Sequence, residues 1–147
     1  MKTMYPSFFM KNTFQGLLII GLLFSLSACN KKISFLNSSV VPAAQGYVKV
    51  DRDDNDNYTI HLEVINLAEV ERLEPPNQAY VVWMVTGQEM PQNIGQLNSS
   101  SSTFSKTLKA SFKSISSSKP NKIFITAEDD PTTQYASRQV VLSTKTF

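Results

Sequence analysis

Two kinds of hydrophobic pattern divide this chain. The first is a continuous run, Ala79-Tyr80-Val81-Val82-Trp83-Met84-Val85-Thr86, almost without polar interruption. It is too short for a helix to be the better solution and is rich in β-branched and aromatic residues, so it predicts a central strand covered on both faces. Lys122-Ile123-Phe124-Ile125-Thr126-Ala127 has the same character and predicts a second buried strand. The second kind is alternation. Residues 46–51 and 58–64 each put every other residue on an apolar face, Val48 and Val50 in one, Ile60, Leu62 and Val64 in the other. The turn formers of residues 52–57 lie between them, which predicts a hairpin.

Further strands follow from weaker signals. Asn93-Ile94-Gly95-Gln96-Leu97 reads as a short strand and residues 139–143 as the closing one. Along residues 104–113, Phe104, Leu108, Ala110 and Phe112 share a face with Lys106, while serines, Thr107 and Lys109 and Lys113 take the other. That pattern predicts a half-exposed strand at an edge, where lysines oppose edge-to-edge association. Residues 99–102 read as a flexible turn and 114–121 as a polar loop. Pro75-Pro76 bars helix and ladder pairing within residues 66–78. Seven short strands with turn signals between them and no convincing helix predict an all-β fold, a single antiparallel β-sandwich over residues 46–147.

The first 45 residues follow different rules. Lys2 and Lys11 precede an apolar stretch, Leu17-Leu18-Ile19-Ile20-Gly21-Leu22-Leu23-Phe24, too short for a stable membrane-spanning helix. Next comes Leu26-Ser27-Ala28-Cys29, which contains the only cysteine. This order resembles the signal and lipobox of bacterial lipoproteins. The resemblance implies cleavage after residue 28, diacylglyceryl modification of Cys29, and Cys29 as the new N-terminus. Two or three acyl chains on one residue would hold the protein durably, since one alone is marginal at roughly 0.8 kcal/mol per buried CH₂. Asn30, rather than Asp, follows the cysteine; by the same resemblance this implies the outer membrane of a Gram-negative envelope. Residues 29–45 then read as the lipidated cysteine and a tether standing the domain off the bilayer, with local packing by Ile33, Phe35 and Leu36.

Composition sharpens the picture at one point. The full chain carries 14 basic and 12 acidic residues, but removing residues 1–28 takes Lys2 and Lys11 with it and leaves 12 of each. A neutral mature chain gives no electrostatic reason for nucleic-acid binding, and no basic amphipathic helix is present to bind headgroups. With its thiol used by lipid, the mature chain has no disulfide and depends on packing.

The segments Tyr80-Val81-Val82-Trp83-Met84-Val85, Asn93-Ile94-Gly95-Gln96-Leu97 and Ile123-Phe124-Ile125-Thr126-Ala127-Glu128-Asp129-Asp130, with Pro75 and Pro76 ahead of the first, resemble the extracytoplasmic C-terminal domain of the anti-sigma-K factors across residues 46–144. Members of that family hold their sigma factor with a cytoplasmic helical domain reached through a membrane span. Neither is recognisable in this sequence, so sigma-factor inhibition does not carry over. The resemblance implies an extracytoplasmic sensory or accessory module of such a regulatory system.

Candidate chemistry is sparse. Asp51, Asp53, Asn55 and Asn57 have the spacing of the first ligands of a calcium loop. Asp56 stands where that loop needs glycine, Leu62 stands where it needs a bidentate glutamate, and a solvated hairpin tip accounts for all four residues. His61, the sole histidine, lies on the polar face of its strand without cysteine or histidine partners for a metal. No serine sits in a Gly-x-Ser-x-Gly elbow. Glu128, Asp129 and Asp130 with Glu89 could supply paired carboxylates for a hydrolase, although they flank the turn residue Pro131. Trp83, Tyr80 and Tyr135 could form an aromatic platform; Trp83 in a central strand reads as core, and Tyr135 in a loop as the better contact for a partner. The sequence therefore predicts a lipid-anchored binding or structural module without cofactor and without catalysis. Its expected partners are the membrane and a protein or glycan.

Overall fold

The computed structural model describes residues 31–87, 90–100 and 109–147. The signal and Cys29, Glu89, Ser101 and Ser102, and the first part of the 104–113 strand lie outside the described residues. Nine strands are present among those described: β1 (Lys32–Ser34), β2 (Gln45–Arg52), β3 (Tyr58–Ile65), β4 (Ala79–Val85), β5 (Gln92–Gln96), β6 (Asn98–Ser100), β7 (Lys109–Ser116), β8 (Lys122–Glu128) and β9 (Val140–Ser143). They form two antiparallel sheets, a larger one in the order β1-β2-β3-β7-β6 and a smaller one in the order β5-β4-β8-β9. The fold is the expected antiparallel β-sandwich.

The inner faces are set by alternation. In β2 and β3, Val48, Ile60, Leu62 and Val64 point inward and are buried, as the sequence pattern requires. They meet Tyr80, Val82 and Met84 of β4 and Ile123, Ile125 and Ala127 of β8 in one inter-sheet core. β4 lies between β5 and β8, so the continuous apolar run does occupy an interior strand. Residues 66–78 carry no strand and only a single 3-10 turn, Val70–Arg72, whose Val70 is buried.

Both sides of the sandwich are closed by chain that passes from one sheet to the other. At one side, β1 pairs with β2 through Ile33 and Val48; the chain then bridges Phe35 to Thr144 and hydrogen-bonds Leu36 N–H to Ser143 O at the edge of β9. Val41 and Ala44 beyond it are buried in the core. The expected tether over residues 29–45 is thus corrected from Lys32 onward: this stretch is built into the fold. Two free sheet edges have unmet backbone groups, and pairing them outweighs the weak local propensity of Lys32–Ser34.

At the other side, β5 pairs with β4 and β6 with β7, and buried Leu97 joins them, its N–H donating to Tyr80 O. A bulge opposite Val82 and Trp83 and the positive φ of Gly95, 133°, bend the strand there. A Cβ on Gly95 would lie 2.9 Å from the Phe112 ring, so the close approach of the crossing strand to β7 needs glycine. Two expectations change as a result. β7 spans Lys109–Ser116 and lies between β3 and β6 instead of at the edge, and the serine run begins as strand β6 rather than as a flexible turn.

Candidate functional site

The two outer faces of the sandwich are the places where chemistry or contact can occur, and they are built differently. On the smaller sheet, Val81 and Trp83 of β4 and Phe124 of β8 form a second apolar cluster, with Val85 and Ala136 packed against it. Trp83 lies directly opposite Phe124 in the register, with stacked rings 6.2 Å apart between centroids. Trp83 is nevertheless 0% exposed, because residues 129–139 fold back across this face.

Specific polar groups hold that cover down. Asn93 of β5 donates through Nδ2 to Pro131 O (2.9 Å) and Thr133 O (2.8 Å), and Ser137 Oγ donates to Ala127 O. Trp83 Nε1 donates to Thr126 Oγ1 (2.7 Å); the Thr126 hydroxyl in turn donates to Glu128 Oε1, which also accepts the backbone N–H of Ser137 at 2.8 Å. Glu128 is 7% exposed and ends this relay as its acceptor. The relay was missed in the sequence reading, although the spacing Thr126-x-Glu128 on one strand face was a signal for it.

This arrangement answers two sequence expectations. The carboxylates of the loop do not face one another across a cleft: Glu128 is buried in the relay, Asp129 is exposed, and Asp130 accepts both the backbone N–H and the hydroxyl of Thr132. Those bonds draw the Asp130 carboxyl below its ordinary value, the hydroxyl bond contributing most. The aromatic platform does not assemble. Tyr80 faces the inter-sheet core, donating to Ala68 O, and burial, with Glu71 adding to it, pushes its phenol up to about 12. Trp83 is covered, whereas Tyr135 is 74% exposed on the loop.

The hairpin tip is a self-contained turn. Asp53 Oδ1 accepts the backbone N–H groups of Asn55 and Asn57, both at 2.9 Å, and Asn57 Nδ2 approaches its other oxygen. The Asn57 N–H bond is the main cause that lowers the Asp53 carboxyl below its ordinary value. Asp56 takes a left-handed φ of 63° and pairs with Arg52 at 2.9 Å, and Asp51 lies 3.8 Å from Lys49 Nζ. The Asp53 oxygens are therefore turned onto the loop's own backbone, and no cluster of three or more metal-ligating residues occurs among the described residues.

The outer face of the larger sheet carries no such cover among the described residues. Two adjoining hollows, of about 440 and 430 Å³, lie along it and share Glu63 and Ile65. The first adds Lys32, Ser34 and Tyr47; the second adds His61, Lys109 and Ser111. Lys32 Nζ sits 4.0 Å above the centre of the Tyr47 ring. The result is a shallow polar groove with an aromatic and an aliphatic patch, and His61 is part of it. No family model, no curated protein and no solved structure matches this chain.

Proposed function

We propose that this chain is a lipid-anchored module of the bacterial envelope that acts by contact rather than catalysis and works through the open face of its larger sheet. The observation that carries the contact reading is the difference between the two outer faces. The apolar one is sealed by the chain's own loop, and the one left open holds a groove whose polar groups surround Tyr47 and Ile65. Against catalysis stands the use of the loop carboxylates, which bond to Thr126, Ser137 and Thr132. The anchor reading rests on Leu26-Ser27-Ala28-Cys29 behind a basic and apolar leader.

Fractionation of cells and intact mass of the envelope-purified protein test this proposal. The native chain should carry a diacylglyceryl mass on Cys29 and stay with membranes through a carbonate wash. Cys29→Ala should remain unprocessed. A mature-sized, membrane-retained Cys29→Ala protein would sink the anchor.

A further inference from the structure

The register of the larger sheet brings together residues that are far apart in sequence. Lys32 of β1 lies opposite Lys49 of β2, Lys49 opposite His61 of β3, and His61 opposite Lys113 of β7. All four alternate with inward-facing residues of their strands, buried beside His61 (Ile60, Leu62) and partly buried beside Lys32 and Lys113 (Ile33, Phe112), and so stand on the outer face. A line of basic side chains therefore crosses four strands, over about 14 Å at the usual spacing between strands. Lys32 and Lys49 are like charges directly opposite one another, which opposes pairing, so anions laid along the row relieve it. Two carboxylates share the face: Asp51, beside Lys49, and Glu63, in the groove; Lys109 lies on the same face as well.

We infer that this face lies on the anionic phospholipid headgroups of the membrane that holds the protein. The inference rests on the anchor at Cys29 proposed above. Only Asn30 and Lys31 separate Cys29 from Lys32, so even a fully extended chain lets the end of the row stand no more than about 10 Å from the lipidated residue. That distance is comparable to the Debye length of roughly 8 Å at physiological ionic strength, so Lys32, the near end of the row, feels the surface charge. With residues 32–44 built into the sandwich, the chain has no tether with which to stand off. The outer face can turn Lys32, Lys49 and Lys113 toward the headgroups, and Lys31 adds a fourth lysine beside the anchor.

The test is lysine acylation read by mass spectrometry, with the lipidated full-length mature protein reconstituted in phosphatidylglycerol vesicles and in phosphatidylcholine vesicles. Lys32, Lys49 and Lys113 should be labelled at least about 5-fold more slowly on the anionic vesicles, with Lys122 and Lys145 labelled equally on both. Equal labelling of the row on the two vesicles, or protection of Lys122 and Lys145 instead, overturns the inference. A second arm measures co-sedimentation of the Cys29→Ser chain lacking residues 1–28 with the same vesicles. Replacing Lys49 and Lys113 by Gln should weaken its binding to phosphatidylglycerol by about 10- to 30-fold, and no change on that replacement also overturns the inference. The mass of the purified protein keeps the two proposals apart. An unlipidated native protein with a protected row refutes the anchor alone, and a lipidated protein with an unprotected row refutes the face alone.

Discussion

The covered face of the smaller sheet and the open face of the larger one are both outer surfaces of strands with similar length, yet they carry opposite solutions to exposure. β4 and β8 are apolar on both sides, so an outward Trp83 and Phe124 had to be removed from water, and residues 129–139 do so with Asn93, Glu128 and Ser137 as fasteners. β2, β3 and β7 alternate, so their outward residues are soluble as they stand and need no lid. A cover that completes a core is structural. A polar face that carries no cover among the described residues, with a groove and a row of lysines through His61, is where a partner can bind.

The comparison can be broken most forcibly at Trp83. Trp83→Ala should cost about 3 to 5 kcal/mol, the range for truncating a large buried aromatic, even though the residue lies outside the inter-sheet core. Urea melts check this: a loss under about 1 kcal/mol would mean that the loop does not seal the face. A smaller cost is expected for Glu128→Ala, roughly 1 to 3 kcal/mol for stranding the Thr126 hydroxyl and the Ser137 N–H. Its specific mark should be local, with faster amide exchange across residues 130–138 and unchanged exchange in β3.

The hairpin tip should respond weakly. Asp53 and Asp130 both have carboxyls drawn below their ordinary values, so each contributes stability that is present above the unfolded-state value near 4 and is lost as the pH falls through the folded-state value. Asp53→Asn should therefore flatten the acid limb of the melting curve below about pH 4 while changing little at pH 7. Calcium should do still less. A site with a dissociation constant of about 10 μM would add roughly 2.7 kcal/mol in 1 mM Ca²⁺, whereas a shift under about 2 °C between Ca²⁺ and EDTA is expected.

The smallest effects belong to the open face. Lys113→Gln and Ile115→Ser, the latter at a side chain 64% exposed, should each change stability by no more than about 0.5 kcal/mol. A much larger loss would mean that this face, like the other, belongs to the fold rather than to a partner.

The parts of the fold legible in the sequence are those whose strands carry their own pattern. The hairpin of β2 and β3 and the continuous runs of β4 and β8 appear where periodicity placed them. β1 and β6 were not legible, because three residues such as Lys32-Ile33-Ser34 or Asn98-Ser99-Ser100 have no period to detect and are strands only through pairing with β2 and β7. An unbroken apolar run also cannot say which side faces the second sheet. Trp83 is buried, as such a run requires, but its cover is a loop stretching to residue 139, which no local pattern announces. The open site was less legible still. Lys32, Lys49, His61 and Lys113 are unremarkable singly, and only the register of four strands makes them a row.

On the proposed function, the open face of the larger sheet, and not the exposed loop over the smaller one, is where this protein meets its surroundings. Photo-crosslinking in intact envelopes tests it most directly, with a photoreactive residue placed at Ser111 on the open face or at Tyr135 on the loop. Abundant adducts from position 111 and few from 135 are the expected result. Adducts confined to position 135 would contradict it and assign contact to the loop instead.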